Sequence, residues 1–350
     1  MNKKMLYIVG AGASHEANLP TGEKLKNEIS RLLDIKFSNG YTQSSGDRII
    51  AESYRIIVRK LDLPTVDINP HIHAGWRIRD ALPLAISIDN FIDAHKDDDK
   101  IELCGKLAIV RSILEAEQNS LMYIDNSNSN NKLKYSSLDK SWYTSFFKLL
   151  TENCPKNELT KRFKSISFVI FNYDRCIEHF LYNALQNYYE ITPEESANLI
   201  NAIEIHHPYG VVGNLPWQEG KSVQFGASPN ATQLIDLAEQ IKTFTEGTNP
   251  ESSQIMAIRN SVANAENIVF LGFAFHKQNL ILMSPNSLSS KKFGRTNYYG
   301  TALGISDSDC KSINNELDDF KNTDNFERNI NNTLNCSSLF KEYWRSLSLS

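Results

Sequence analysis

The sequence predicts an α/β protein with a Rossmann-like, mainly parallel sheet, helices on both faces and a large helical insertion. Three observations predict it. A short apolar run near the amino terminus ends in a glycine-rich loop, strands alternate with longer helices after residue 150, and the stretch between them has helical periodicity. Strands that alternate with helices in this way form parallel sheets covered on both faces.

The first strand is predicted over residues 6–9, where Leu-Tyr-Ile-Val is continuous, apolar and β-prone. Such a run is typical of a buried central strand. It ends in the loop Gly10-Ala11-Gly12-Ala13-Ser14. Residues 23–33 then place leucine and isoleucine at helical spacing, with Thr21 as a cap. The amino terminus therefore predicts a strand, a glycine loop and a helix.

Residues 37–150 are predicted to form a helical insertion. Its first part, residues 37–47, is polar and rich in Gly, Ser and Asn, and no strand is expected there. A low-complexity polar loop is expected over residues 125–134. Apolar periodicity indicates helices over residues 49–61, 87–95 and 101–123 and around Trp142.

The α/β pattern returns in the second half of the chain. The predicted strands cover residues 166–171, 202–206, 267–272 and 298–304, and the predicted helices cover residues 174–189, 231–245 and 251–266. Residues 1–36 and 151–310 are therefore expected to form one α/β domain. Residues 311–350 are expected to be a helical extension packed on that core.

Composition argues against a nucleic-acid-binding, membrane-spanning, secreted or metal-binding protein. The 350 residues include 37 Lys plus Arg and 41 Asp plus Glu, a net charge of −4 that offers no polycationic surface to nucleic acid. A mean hydropathy of −0.38 and a short amino-terminal apolar run predict neither a membrane span nor secretion. The five cysteines form no C-x-x-C pair, which indicates reduced thiols and no metal site. A cytoplasmic protein is expected.

Candidate site residues follow the predicted strands, because ligands of open α/β sheets bind beyond the carboxyl ends of the strands. Each place also has a structural interpretation: a tight turn, a helix cap, an ordinary core histidine or core packing. The four places are Gly10 to Ser14, Phe171-Asn172-Tyr173-Asp174, His206-His207-Pro208-Tyr209-Gly210, and Phe270-Leu271-Gly272-Phe273.

In this order the four segments resemble the sirtuin (silent information regulator) superfamily, and within it the bacterial sirtuin-like branch. The matching motifs are Gly10 to Ser14, Asn172 with Asp174, and His207 with Gly210. Segments 19–22, 87–93 and 300–304 are also similar to that branch. The chain lacks the two C-x-x-C pairs and the Asp-Phe-Arg of sirtuin deacylases, so peptide deacylation is not expected.

The resemblance implies an NAD⁺ glycohydrolase of antiphage defence, which depletes NAD by cleaving it to nicotinamide and ADP-ribose. The bond breaks through an oxocarbenium-like state with a neutral leaving group. The site must therefore hold the pyrophosphate, orient the ribose and place a water molecule. NAD is the substrate, and no further cofactor is expected.

Roles for individual residues follow from that chemistry. The loop Gly10, Ala11, Gly12, Ala13 and Ser14 is expected to hold phosphates through its amides. Asn172 would fix the ribose and the water, and Asp174 would anchor its loop or contact ribose. Gly272 and Phe273 are expected to line the site. His207 is the expected general base, and His206, which points to the other side of an extended strand, is the alternative.

Other interpretations remain open from the sequence. The chain could be an NAD(P)-dependent oxidoreductase, as the first glycine loop alone suggests, or an NAD- or nucleotide-sensing subunit without turnover. Ser87 is expected to cap a helix whose Asp89 or Asn90 could contact ligand, and His276 or Asn279 could contact adenine or ribose. A homo-oligomer and a HerA-type ATPase partner are expected, without membrane or direct nucleic-acid binding.

Overall fold

The computed structural model describes residues 4–61, 65–125, 127, 131–242, 252–285, 293–323 and 326–349. Two sheets are present in these residues, one of six parallel strands and one small antiparallel hairpin. The strands are β1 (Met5–Val9), β2 (Lys36–Ser38), β3 (Thr42–Ser45), β4 (Ile166–Ile170), β5 (Glu204–His206), β6 (Asn267–Leu271), β7 (Thr296–Thr301) and β8 (Phe326–Asn331).

The six-stranded sheet has the order β5-β4-β1-β6-β7-β8. From β1 the chain adds β4 and then β5 on one side, returns to the other side of β1 with β6, and continues through β7 to β8. The winding direction therefore reverses between β1 and β6, as in doubly wound nucleotide-binding folds. The predicted Rossmann-like α/β class is confirmed.

Helices cover the sheet and build the segment between β1 and β4. Within the described residues, the helices are α1 (Ala11–Ser14), α2 (Gly22–Leu33), α3 (Arg48–Lys60), α4 (Asn69–Ala81), α5 (Ile88–Ala94), α6 (Asp99–Gln118), α7 (Trp142–Thr151), α8 (Leu159–Phe163), α9 (Cys176–Tyr189), α10 (Pro193–Ile200), α11 (Ala231–Ala238), α12 (Ser253–Asn264), α13 (Lys277–Met283), α14 (Asp307–Phe320), α15 (Cys336–Glu342) and α16 (Trp344–Leu347). No helix in these ranges is both long and apolar enough to span a bilayer.

The central strand β1 is buried on both faces, which explains its continuous apolar sequence. Tyr7 belongs to the cluster formed with α7, α9 and α15, and its ring lies 5.0 Å from Phe146 and 5.2 Å from Phe168. Leu6 and Ile8 pack on the opposite face, against α12 and α14. Alternate side chains of β1 thus pack against the helices on the two opposite faces of the sheet.

The segment between α2 and β4 is mainly helical, as expected, and α6 is central to a separate apolar cluster there. Two expectations need correction. Residues 37–47 were expected to contain no strand, but β2 and β3 form a hairpin whose turn has Asn39 and Gly40 at φ 52° and 73°. Asn-Gly readily adopts these positive φ values, so the turn can close without a strong apolar pattern in either strand. The expected polar loop at 125–134 lies partly outside the described residues.

The carboxyl-terminal segment also differs from its expected all-helical form. Residues 326–331 are β8, which pairs with β7 in parallel as the last strand of the sheet. Its sequence, Phe-Glu-Arg-Asn-Ile-Asn, is polar because an edge strand is covered on one side only. Beyond β8, Trp344 donates to Glu152 Oε1 at 3.2 Å, and the ring of Tyr343 lies 5.1 Å from that of Tyr299.

Candidate functional site

The glycine loops after β1 and β6 are in direct backbone contact where the sheet order reverses. A Cβ atom on Gly10 would lie 2.5 Å from the carbonyl oxygen of Gly272, and one on Gly12 would lie 2.9 Å from Gly272 Cα. Gly272 has φ 54°, and its own added Cβ would lie 2.0 Å from the amide nitrogen of Ala13. Only glycine permits this approach. The loops are thereby fixed side by side at the crevice where this fold class binds nucleotides.

The amides of the first loop are only partly free for an anion. The amide of Gly12 donates to Gly272 O at 3.1 Å, and that of Ala13 donates to Gly10 O at 3.0 Å. Ala11 is partly exposed, and its amide has no acceptor among the described residues. The following helix α1 has only four residues, so its dipole contributes little. Of the predicted phosphate contacts, the Ala11 amide is the one that the loop leaves unpaired.

Asn172 connects the loop after β1 to the end of β4. Its side-chain nitrogen donates to Ser14 Oγ at 2.9 Å, and both residues are buried. Asp174 accepts from the amide of Cys176 at 3.1 Å, at the start of α9. Burial raises the pKa of Asp174, while hydrogen bonds from Ser14 and Cys176 oppose the shift. Asp174 thus connects the end of β4 to the first residue of α9, and its contact with ribose stays a prediction.

The ring of His207 points at the end of β4, so the predicted histidine and asparagine do lie together. Its Nδ1 is 3.4 Å from Asn172 O, and its Nε2 is 2.7 Å from Glu178 Oε1. Burial lowers the pKa of His207, but the charge and hydrogen bond of Glu178 outweigh it and the net shift is upward. Burial lowers the pKa of His206, whose Nε2 has no partner among the described residues. The geometry places His207, and not His206, in this network.

Glu178 is the main residue of the site that the sequence analysis missed. It lies in the first turn of α9 and is 4% exposed. Its Oε1 contacts His207, whereas Oε2 is buried without a hydrogen-bond partner in the described part of the chain. An acidic residue in a first helical turn ordinarily stabilises the helix through its dipole. The position of Glu178 was explained by that effect, so its contact with His207 was not expected. The signal was its position one helical turn beyond Asp174.

A second polar group borders the same edge of the sheet. Tyr173 donates its hydroxyl hydrogen bond to Asp89 Oδ1, and Tyr209 donates to Asn279 Oδ1 at 2.6 Å. Burial raises the pKa of Asp89 to about 7. Ser87 caps α5 as expected, accepting from the amide of Asn90 at 3.1 Å. The capped helix α5 thus carries Asp89 to the same sheet edge as Tyr173.

Phe273 and His276 follow β6 but differ in exposure. The ring of Phe273 lies 5.3 Å from that of Phe171, whose ring is in turn 5.7 Å from Tyr209. This aromatic row continues from the glycine crevice toward the Tyr209–Asn279 pair. The side chain of His276 is exposed at the start of α13. Asn279, and not His276, is thus joined to the polar residues at the sheet edge.

A buried ion pair fixes the segment that follows His207. Arg175 is 1% exposed and binds the fully buried Glu117 through two nitrogens, at 3.1 and 2.5 Å. The guanidinium also donates to the carbonyls of Gly213 at 3.1 Å and Val223 at 2.7 Å, and Glu117 accepts from the amide of Gly226. Satisfied hydrogen bonds on both charges make such burial tolerable. The pair holds residues 213–226 against α6 and α9.

No protein-family model matches the chain, and no curated protein is significantly similar to it in sequence. In the described residues, no group of three or more His, Cys, Asp or Glu side chains is arranged to hold a metal ion. The arrangement brings together two glycine loops in contact, a buried amide and hydroxyl, and a histidine paired with a carboxylate. Such a set can bind a polar ligand and move a proton.

Proposed function

We propose that this protein is an NAD⁺ glycohydrolase that cleaves the nicotinamide–ribose bond of NAD to give nicotinamide and ADP-ribose. One observation carries the proposal. Ser14, Asn172, His207 and Glu178 are connected by hydrogen bonds at the carboxyl edge of the sheet, next to the point where the strand order reverses, and all but the partly exposed His207 are buried. This is where a doubly wound sheet binds a dinucleotide.

The substrate would lie across the crevice between the ends of β1 and β6. The partly exposed Ala11 amide is available to a phosphate oxygen. The aromatic row of Phe273, Phe171 and Tyr209 offers flat apolar contact beside it. Asn172 and Ser14 offer amide and hydroxyl groups for ribose hydroxyls, and Asn279 offers a further amide. These contacts would orient the ribose carbon that reacts.

The chemical step would use His207 as the base. The bond between the ribose carbon and the nicotinamide nitrogen breaks, and its electron pair neutralises the pyridinium ring. A water oxygen bonds to the same carbon, and its proton passes to the pair formed by His207 and Glu178. No acid is needed for the neutral leaving group, so one base is sufficient.

A specific observation favours a second function, an NAD- or nucleotide-sensing subunit without turnover. Both nitrogens of His207 face acceptors within the protein, Asn172 O and Glu178. Three amides of the glycine loop, those of Gly10, Gly12 and Ala13, are likewise paired with backbone carbonyls. A ligand could bind such a network without being cleaved. Tight NAD binding with intact NAD recovered would establish this function, and absorbance of reduced nicotinamide would instead indicate an oxidoreductase.

The physiological part of the proposal rests on the resemblance to bacterial sirtuin-like proteins. An enzyme that depletes cellular NAD must remain inactive until infection activates it. Control by self-assembly or by a HerA-type ATPase partner, within the cytoplasm and during antiphage defence, is the setting we propose.

The test is to incubate the purified chain with NAD and to separate the products by chromatography. We expect equal amounts of nicotinamide and ADP-ribose from the wild type. Asn172→Ala should reduce their formation by about 10²-fold or more, because the ribose and water lose their orientation. Incubation should be repeated with the self-associated form and with any co-purifying ATPase. Intact NAD under all of these conditions would reject the proposal.

A further inference from the structure

A separate cleft lies between α9 and the segment 214–225, away from the glycine crevice. It has a volume of about 310 Å³, within the range of small-molecule sites. Two parallel aromatic stacks line it. Tyr182 and Trp217 have ring centroids 4.9 Å apart with an interplanar angle of 9°, and His179 and Phe225 are 4.1 Å apart at 7°. Within each pair the two rings cover one face of each other, so the pairs offer a ligand their outer faces and their edges.

The lining of this cleft is uncharged at neutral pH. His179 donates from Nε2 to Met122 O at 3.0 Å, and burial lowers its pKa to about 4, so the ring is neutral. The other described lining groups are apolar, aromatic or carboxamide, and the carboxamides belong to Asn183 and Gln224. Carboxamides both donate to and accept from the edge of a planar heterocycle. This lining suits a neutral, flat, hydrogen-bonding ring.

A second cleft of about 780 Å³ adjoins the first, and Tyr182 and Trp217 line both. Apart from Pro193 and Ala197, its remaining lining is polar and includes Glu194, Glu219 and Asn198. Carboxylates accept hydrogen bonds from sugar hydroxyls, but they repel a phosphate group. A ligand that spans both clefts would therefore combine a planar ring with an unphosphorylated, hydroxyl-bearing part.

Hydrogen bonds from Arg175 hold the wall that the two clefts share. Arg175 donates to the carbonyls of Asn214 at 3.3 Å, Val223 at 2.7 Å and Gln224 at 3.3 Å. These bonds fix both ends of the segment that carries Trp217. A wall that is already ordered loses little conformational entropy when a ligand binds.

We propose that the paired clefts bind an unphosphorylated nucleoside. The base lies against the aromatic rings of the smaller cleft, where its edge meets Asn183 and Gln224, and the sugar hydroxyls face Glu194 and Glu219. Any base can stack on aromatic side chains, whereas hydrogen bonds from the carboxamides of Asn183 and Gln224 depend on the groups at the edge of the base. This site does not depend on NAD cleavage, and its ligand differs from NAD in having no phosphate.

The test is calorimetric titration of the full-length protein with adenosine, with AMP and D-ribose as comparison ligands. We expect saturable binding of adenosine, weaker binding of AMP and none of ribose. Trp217→Ala should weaken adenosine binding about tenfold or more. Gln224→Ala, whose exposed side chain makes no hydrogen bond in the described residues, should fold normally and bind several-fold more weakly. Tyr188→Ala, on α9 outside the clefts, should bind like the wild type.

Three results would overturn the proposal. The first is the absence of adenosine binding to the folded wild type. The second is unchanged binding in both Trp217→Ala and Gln224→Ala, which would place the ligand elsewhere. The third is AMP binding as tight as that of adenosine, because the acidic cleft should disfavour a phosphate. None of these results depends on whether NAD is cleaved.

Discussion

His207 shows how one residue's surroundings decide what it can do. Its ring lies between two acceptors, a backbone carbonyl and the Glu178 carboxylate, so the protonated ring satisfies both of them. The raised pKa means that protonation of His207 stabilises the fold below its ordinary pKa of 6.5, and this contribution is lost as pH rises through the folded value. A base in this state must first lose a proton. We therefore expect cleavage of NAD to increase with pH through the pKa of His207.

Glu178→Gln tests the pairing directly. It keeps the shape and a hydrogen bond but removes the charge that raises the pKa of His207. We expect the pKa of His207 to fall, as followed by the NMR titration of its ring proton, and the rise of activity to move to lower pH. An unchanged titration would show that Glu178 does not act on His207. His206→Ala is the control, because it leaves the network intact.

Asp89 should make stability depend on pH in the opposite sense to that of an ordinary carboxylate. Burial raises its pKa from 3.8 to about 7, so the folded state binds this proton more tightly than the unfolded chain does. The free energy of unfolding should therefore fall as pH rises from 4 to 7, by up to about 4 kcal/mol. Asp89→Asn should flatten that fall in urea unfolding. Equal pH dependence of the variant and the wild type would contradict this assignment.

At the scale of elements, the sequence predicted the strands whose burial on both faces requires a continuous apolar sequence. Strands β1, β4 and β6 are apolar because both of their faces are covered, so their runs were found within one residue of their ends. The edge strand β8 and the hairpin β2–β3 have no such requirement and were missed. Helix α4 was missed as well, because its apolar residues are interrupted by His71, His73 and Gly75.

The contact between the two glycine loops gives a prediction at this scale. Gly272→Ala places a Cβ against the backbone of the first loop at a positive φ, so the loops must separate. We expect a loss of about 2–4 kcal/mol in the free energy of unfolding measured with urea. Gly22→Ala is the matched control, because an added Cβ there meets nothing within 4 Å. It should be neutral or slightly stabilising. Equal stability of the two variants would show that the loops are not pressed together.

At the scale of the whole molecule, the site depends on which elements the fold brings to one edge of the sheet. Placing Asn172, Asp174 and His207 beyond strand ends predicted their common location, since parallel strands end at the same edge. Glu178, Glu117 and Arg175 could not be found in this way, because each sits in a helix or at a helix start where a charge is ordinary. Their partners come from distant segments, and apart from the position of Glu178 one helical turn beyond Asp174 the sequence carries no signal for these pairs.

The buried pair of Arg175 and Glu117 should support the fold far more than a surface pair does. Glu117→Gln leaves a buried guanidinium without its counter-charge, and we expect a loss of about 3–5 kcal/mol in the free energy of unfolding. Amide hydrogen exchange should rise over residues 213–226, which the pair holds. Glu327→Gln removes the partner of the exposed Arg295 and should cost about 1 kcal/mol or less. Equal losses in both variants would contradict the assigned role.

The most direct test compares two neighbouring histidines in one assay. Nicotinamide release from NAD is measured by chromatography for the wild type, His207→Ala and His206→Ala under identical conditions. The account predicts release by the wild type, retention of most activity by His206→Ala, and a loss of about 10²–10⁴-fold in His207→Ala. Release by His207→Ala at the wild-type rate, or no release by the wild type in any assembly state, would contradict it.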